Sequence, residues 1–378
     1  GINYRLGRFG FFAHPALRKA NADKGRWGNY GIMDQIASLR WIRRNIGAFG
    51  GDPGNVTIMG ESAGGASAQM LLTSREAQGL FHRAIIQSGG GRITGFSNRA
   101  LTEDRSGLPS LETTGKAFAA RNGIEGDDAL TLSRLRALSA SVVQGGLHMM
   151  TSAQQRDIYG GPSIDSRFVM GSLETLYREG RFANVPVIVG ATNADLGLLS
   201  VDTKDEAFAQ FGDKASAARA LYDPAGGRDT RQVIAAVGAD RAMVEPARFV
   251  ADSVAQRSAP AWLYRFSFVA DSMKDRLSGA VHASDVPYIM GTVDAKYGAA
   301  TTDRDRAASA LLHRYWVNFA KTGNPNGAGL PAWHAYSPKT DALMELTGEA
   351  RAQSGPDPWR ERLDLICAAF SPKTCPAR

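Results

Sequence analysis

One serine stands where its neighbours could make it a nucleophile. Residues 58–65 read Ile-Met-Gly-Glu-Ser-Ala-Gly-Gly, directly after Asn55-Val56-Thr57. Val56 to Met59 is a short apolar, β-branched run of the kind that makes a buried strand. Gly60-Glu61-Ser62-Ala63-Gly64 then spells G-x-S-x-G, and Ala66 to Leu72 is a predicted helix. A strand that turns sharply into a helix leaves Ser62 on a strained tip with its hydroxyl exposed. Side chains at Gly60 and Gly64 are expected to collide with that turn, and Gly65 extends the glycine run. The start of the helix would point at the serine.

A serine hydroxyl is a poor nucleophile until a base takes its proton, and the base needs an acid to hold its tautomer. In the α/β-hydrolases, whose nucleophile elbow has this spelling, the chain order is Ser, then Asp or Glu, then His. The sequence holds 6 histidines. His14 precedes the serine, and His82 lies too close behind it. His148 falls in a helical stretch, His313 lies mid-helix, and His334 sits in a surface turn, Pro331-Ala332-Trp333-His334. His282, in Gly279-Ala280-Val281-His282-Ala283-Ser284-Asp285, follows a predicted strand and is where the fold needs its base. The acid belongs in a loop just past a strand, between the two. Gly190-Ala191-Thr192-Asn193-Ala194-Asp195-Leu196-Gly197 is such a loop, and Asp195 is its one acidic residue. Asp202 and Glu206 lie a helical turn or more later. The plainer readings are a solvated loop histidine and an Asx turn at Asp195.

These residues need a scaffold, and the chain has the material for one. Its 378 residues are 43% hydrophobic and 21% charged, a globular balance with ample core. No apolar run is long enough to cross a membrane, and no repeat or low-complexity segment is present. The 44 Lys and Arg against 37 Asp and Glu give +7, but the cations are spread along the chain without a basic, aromatic-interleaved run. Nucleic-acid binding is therefore not expected, and a weak attraction for anionic substrates is the most this charge implies. The 2 cysteines, Cys367 and Cys375, are either free thiols or one small disulfide, and a disulfide would favour a secreted or periplasmic setting.

Predicted strands at Ile2–Leu6, Val56–Met59, Ala84–Gly89, Val185–Gly190, Trp262–Phe268 and Ala342–Leu346 alternate with helices. The helices are Gly31–Ile42, the one after Ser62, Thr302–Lys321 and Pro358–Ala369. Ile32, Ile36, Leu39, Ile42 and Ile46 give the first helix one apolar face. Thr302 and Asp305 have the spacing of a capping box, and Leu311, Tyr315 and Phe319 line one face of that helix. Alternation of this kind argues an α/β fold with a mostly parallel sheet covered on both faces. The stretches 96–160 and 198–259 lack strand signals and read as helical insertions within one catalytic domain spanning 1–378. Only Ile2–Leu6 precedes the elbow strand, so the sequence is expected to be a fragment without the fold's opening strands and its glycine-rich oxyanion loop.

The chain resembles the carboxylesterase/cholinesterase family, the type-B carboxylesterases of the α/β-hydrolase fold, along essentially its whole length. The resemblance rests on Ile2-Asn3-Tyr4-Arg5-Leu6-Gly7 with Gly10-Phe11, Gly28-Asn29-Tyr30-Gly31 with Asp34-Gln35, and Phe49-Gly50-Gly51-Asp52-Pro53. It continues through Gly60 to Gly65, Gln87-Ser88-Gly89, Tyr315-Trp316, Asn318-Phe319, Lys321-Thr322-Gly323-Asn324-Pro325-Asn326 and Trp333. It implies Ser62 as nucleophile, His282 as general base and acid, Asp195 as orienting carboxylate, and the Ala63 N–H as an oxyanion donor. Glu61, Ser88 and Asp285 would be supports. The family usually places Glu in the acid loop, as Asp-Glu-Gly. Here the loop reads Asp195-Leu196-Gly197 with one extra residue before it, and Asp195 holds the acid position counted from Gly190. The implied activity is hydrolysis of a small-molecule ester through an acyl-enzyme, with no metal or cofactor. Two alternatives stand beside it: a non-catalytic adhesion or recognition member of the family, and an amide hydrolase on the same three residues. Oligomeric state is left open.

Overall fold

The computed structural model describes all residues except 22–23, 93–98, 106, 149–150, 152–154, 156, 198 and 376–378. The expected starts of the two insertions, 96 and 198, lie outside the described residues. The chain divides into two compact units, Gly1–Gly54 with Met70–Leu80 and Thr94–Leu176, and Asn55–Gln69 with Phe81–Ile93 and Tyr177–Arg378.

The second unit is built on a six-stranded sheet in the order β1-β2-β3-β4-β5-β6: Thr57–Glu61, Arg83–Gln87, Val187–Thr192, Ala261–Phe266, Ala342–Leu346 and Ala352–Pro356. The first five are parallel, with Met59 opposite Ile85, Ile85 opposite Ile188, Ile188 opposite Trp262 and Leu263 opposite Leu343. β6 closes the edge as the antiparallel arm of a hairpin, a strand the sequence did not announce because Ala352-Gln353-Ser354-Gly355-Pro356 lacks apolar alternation. β3 and β4 are buried at every position, as strands covered on both faces must be.

On one face Trp262, Tyr264 and Phe266 join Tyr288, Tyr315, Trp316, Phe319 and Trp333 in the main core. The helix carrying Tyr315 and Phe319 runs Asp303–Thr322 and starts with the expected Thr302–Asp305 capping box. Leu312 is its buried leucine, while Leu311 stays half-exposed. On the opposite face Arg265 is buried, which requires a paired charge. Its Nη2 donates to Asp357 Oδ2 at 2.7 Å, and its guanidinium lies 3.8 Å over the Trp359 ring. Phe208, Phe211, Tyr222, Val233 and Val237, from the helices between β3 and β4, form a smaller core with Ile366 of the last helix. Cys367 and Cys375 are joined as a disulfide at the end of the last helix, Arg360–Phe370.

The first unit is helical. Its Tyr30–Asn45 helix buries Ile32, Ile36 and Leu39, whereas Ile42 and Ile46 are only half-buried. Ser110, Asp128 and Ser139 cap the Leu111–Arg121, Ala129–Ala137 and Ala140–Gln144 helices by accepting from the amides of Thr113, Thr131 and Val142. Leu132 and Leu135 are buried.

One predicted strand fails. Ile2–Leu6 is not a strand: residues 1–6 are irregular and a short helix, Gly7–Gly10, follows. A strand needs a neighbour to take its N–H and C=O groups. Here the Arg5 N–H donates to Asp34 Oδ2 at 3.0 Å and its Nη2 to Asp34 Oδ1 at 2.7 Å, while Ile2 and Leu6 stay exposed.

Candidate active site

β1 delivers the serine. Ser62 follows it directly at φ 55°, a left-handed conformation that costs a non-glycine residue about 1 kcal/mol or more and that marks constrained sites. Its N–H donates to Gln87 O at 2.9 Å, tying the turn to the end of β2, and its carbonyl accepts from Ala66 N at 2.9 Å. Ala63 opens the Ala63–Thr73 helix, so its N–H lies in the first turn, where helix amides have no intrahelical partner.

The glycines divide differently from expectation. A Cβ at Gly60 would lie 2.2 Å from the Gly64 carbonyl, so glycine is required there. At Gly64 a Cβ would meet nothing within 4 Å, so no collision fixes that position. The second crowded site is Gly65, where a Cβ would lie 2.8 Å from Gly89 Cα and 2.9 Å from Gln87 O. The turn presses the helix backbone on the end of β2, and that contact falls one residue later than the motif suggests.

Two loops bring the acid and the base together. The segment after β3 and the segment before His282 form an isolated parallel bridge between Ala194 and Val281. Ala194 N donates to Ala280 O at 3.0 Å, and Ala280 N to Asn193 Oδ1 at 2.7 Å. Asp195 and His282 therefore emerge side by side, with His282 Nδ1 2.6 Å from Asp195 Oδ1. The Asp195 side chain is fully buried and its oxygens are well supplied with donors. Oδ2 accepts from Ser88 Oγ at 2.6 Å and Thr192 N at 2.9 Å, and Oδ1 from Leu196 N at 2.7 Å. Burial raises its pKa, but the bonds from His282 and Ser88 outweigh it and hold the carboxyl below the ordinary range.

The far side of the imidazole faces a second carboxylate. His282 Nε2 lies 3.2 Å from Glu61 Oε1, an ion-pair contact without hydrogen-bond alignment, since that oxygen has no hydrogen-bond partner among the described residues. The Ser62 hydroxyl makes no hydrogen bond among the described residues, so the serine-to-imidazole link is not formed in this structure. Catalytic hydrogen bonds are often long before substrate binds. The bond to Asp195, reinforced by the charges of Asp195, Glu61 and Asp285, raises the His282 pKa despite its partial burial. Desolvation pushes Glu61 up to about 7.

Asp285 lies three residues beyond the histidine and is fully buried. Its Oδ2 accepts from Tyr264 Oη at 2.9 Å and Gln87 Nε2 at 3.2 Å, and burial raises its pKa. Tyr264 and Gln87 were missed as site residues. Gln87 lay inside the quoted Gln87-Ser88-Gly89 block, but nothing in the spacing says that its amide meets Asp285. Three of the other five histidines have side chains engaged elsewhere: His14 Nδ1 accepts from Ala16 N, His82 Nδ1 from Val56 N, and His313 Nδ1 contacts Ile289 O. Among the described residues no group of three or more His, Cys, Asp or Glu side chains is arranged to hold a metal ion. No described helix is long and apolar enough to cross a membrane.

The profile of the carboxylesterase family matches residues 1–360. The chain belongs to the carboxylesterase family. It is 31% identical over 368 residues to para-nitrobenzyl esterase of Bacillus subtilis (strain 168), covering 94% of this chain and 70% of that one. With mouse (Mus musculus) liver carboxylesterase 1 the identity is 30%, over 91% of this chain and 64% of the enzyme. Mouse neuroligin-3 matches at 28% over 86% of this chain and 41% of its own length. A solved structure of PNB esterase superposes with a TM-score of 0.75 at 28% identity, covering 96% of this chain and 73% of that one. The mostly parallel sheet with helices around it is thus the α/β-hydrolase fold. The chain spans about two thirds of the length of these carboxylesterases.

Proposed function

We propose that this carboxylesterase-family chain is a serine carboxylic-ester hydrolase working through an acyl-enzyme, with Ser62, His282 and Asp195 as its reacting and orienting residues. The 2.6 Å contact between a buried, ionised Asp195 and His282 carries the reading. It leaves the imidazole with Nδ1 bonded and Nε2 as the site that accepts a proton. Ser62 Oγ attacks the ester carbonyl carbon as its proton passes to Nε2. The carbonyl oxygen becomes an oxyanion, for which the Ala63 N–H is one donor. As the tetrahedral intermediate collapses, the C–O bond to the alcohol breaks and the alcohol leaves with the proton from Nε2. Water, deprotonated by the same nitrogen, then attacks the acyl carbon; the bond to Ser62 Oγ breaks, the proton returns from Nε2 to Oγ, and the carboxylic acid is released.

Ser88 and Thr192 hold the second oxygen of Asp195, so its carboxylate cannot swing away from the ring. Glu61 has a different part. In its ionised form, reached around pH 7, its charge beside Nε2 favours the imidazolium, and it must yield that face to the serine when substrate binds. Because the base acts only when neutral and its pKa is raised, kcat/KM is expected to rise with pH through a limb above the ordinary histidine value of about 6.5. Glu61→Gln removes one of the charges that raise it. The limb should then move to lower pH. A pH–rate profile on an aryl ester measures this, and an unmoved or raised limb in the variant would refute the role given to Glu61.

The test of the function is covalent. A fluorophosphonate offered to the full-length protein should attach to Ser62 in a single stoichiometric event seen by mass spectrometry, with para-nitrophenyl acetate hydrolysis lost in parallel. The similarity to neuroligin-3 favours a second reading, non-catalytic recognition. Absence of both labelling and turnover would select that reading over the enzyme. Amide hydrolysis on the same residues would appear as turnover of the matching anilide at a rate comparable with the ester.

A further inference from the structure

We propose that Gly197 and Gly238 are positioning residues, whose backbone-to-backbone contact sets how far Asp195 reaches toward His282. The inference rests on the reading of Asp195 as the carboxylate that orients the imidazole. Asp195 stands two residues before Gly197, on a short segment that leaves β3. At Gly197 there is no room for any side chain: a Cβ would lie 1.9 Å from the Gly238 carbonyl carbon and 2.1 Å from Ala239 N. The segment therefore rests directly on the main chain of the Thr230–Ala239 helix. Seen from that helix, a Cβ at Gly238 would lie 3.0 Å from the Gly197 carbonyl carbon and 3.1 Å from its Cα and its oxygen. Gly238 is buried in a helix, where alanine is the better helix former, so local preference does not account for it.

The helix surface under this contact is itself fixed. Immediately after Ala239 the helix passes through a π turn, Asp240–Val244, before continuing as Glu245–Ala255. Such turns are rare and concentrate at functional sites. Asp240, at the start of the turn, is buried and accepts from Tyr222 Oη at 2.6 Å and Arg362 Nη2 at 2.8 Å. Arg362 stacks 3.8 Å over Trp359, and Val244 packs with Ala191 of β3 and Leu363. A line of contacts thus runs from the Arg362–Asp240 pair through Gly238 and Gly197 to the carboxylate. A methyl group at Gly238 would lift the 195–197 segment by a few tenths of an ångström, enough to lengthen a 2.6 Å hydrogen bond.

The test compares Gly238→Ala, Gly197→Ala, Asp195→Asn and the control Gly227→Ala, at a glycine with nothing within 4 Å of a Cβ. Gly238→Ala should lower kcat about tenfold with KM changed less than about twofold, and Gly197→Ala about a hundredfold. The acid limb of kcat/KM should move to lower pH in Gly238→Ala, because the bond that raises the His282 pKa is weakened. A partly unfolded enzyme would lose amplitude without moving that limb, so Gly238→Ala decides the matter even where Gly197→Ala does not fold. A Gly238→Ala enzyme with the rate and pH profile of Gly227→Ala, and a higher melting temperature from better helix propensity, would overturn the proposal. Wild-type-like kcat in Asp195→Asn would instead overturn the assignment of Asp195, and this proposal with it.

Discussion

Ser62→Ala is expected to lower kcat for a simple aryl ester by about 10⁶-fold, leaving only the residual rate that binding and the oxyanion donor supply. The residue has no second role that would blur the result. Its backbone holds the turn through the N–H to Gln87 O and the carbonyl to Ala66 N, and alanine keeps both. The hydroxyl bonds nothing among the described residues, so its removal should leave folding untouched. Steady-state kinetics with circular dichroism on the same sample checks both parts. A folded variant that retains even one per cent of the rate would mean that another group attacks the ester.

Asp195→Asn is expected to cost about 10⁴-fold in kcat, the second-largest effect. The amide fits the same space and its oxygen can still accept from Ser88 and Thr192, although the Leu196 N–H loses its acceptor. The group then facing His282 Nδ1 is an NH₂, a donor, so the neutral ring is driven to the tautomer that carries its proton on Nε2. That nitrogen can no longer accept from Ser62. Losing the carboxylate's hydrogen bond, the largest contribution to the raised His282 pKa, together with its charge means that the surviving activity should titrate at lower pH than wild type. Rates measured on the high-pH plateau separate the two effects. A loss there of less than about tenfold would show that Asp195 only supports its own loop, as an Asx turn would.

Much of the scaffold was legible because it depends on local pattern. Apolar runs bounded by glycine and proline marked β1 to β5, with edges shifted by one or two residues at most positions. The Thr302–Asp305 capping box and the strand–serine–helix context of the elbow are short-range devices in which neighbouring residues satisfy each other's backbone. Ile2–Leu6 shows the limit of that approach. Its composition suits a strand, but a strand is a relation between two segments, and the Arg5 amide is engaged by Asp34 instead.

The sequence by itself determined the family to which the chain belongs, and it named the candidate residues and their order along the chain. Spacing alone cannot report which side chains end up sharing a proton, because that depends on loops joined across 87 residues, as His282 and Asp195 are. Only the tertiary structure decided that Glu61 faces the imidazole, that Tyr264 and Gln87 hold Asp285, and that Gly65 rather than Gly64 is crowded. The reason is physical. Periodicity and capping are written in nearest-neighbour energies, whereas burial, charge contact and close backbone approach arise only once distant segments exclude water from between them.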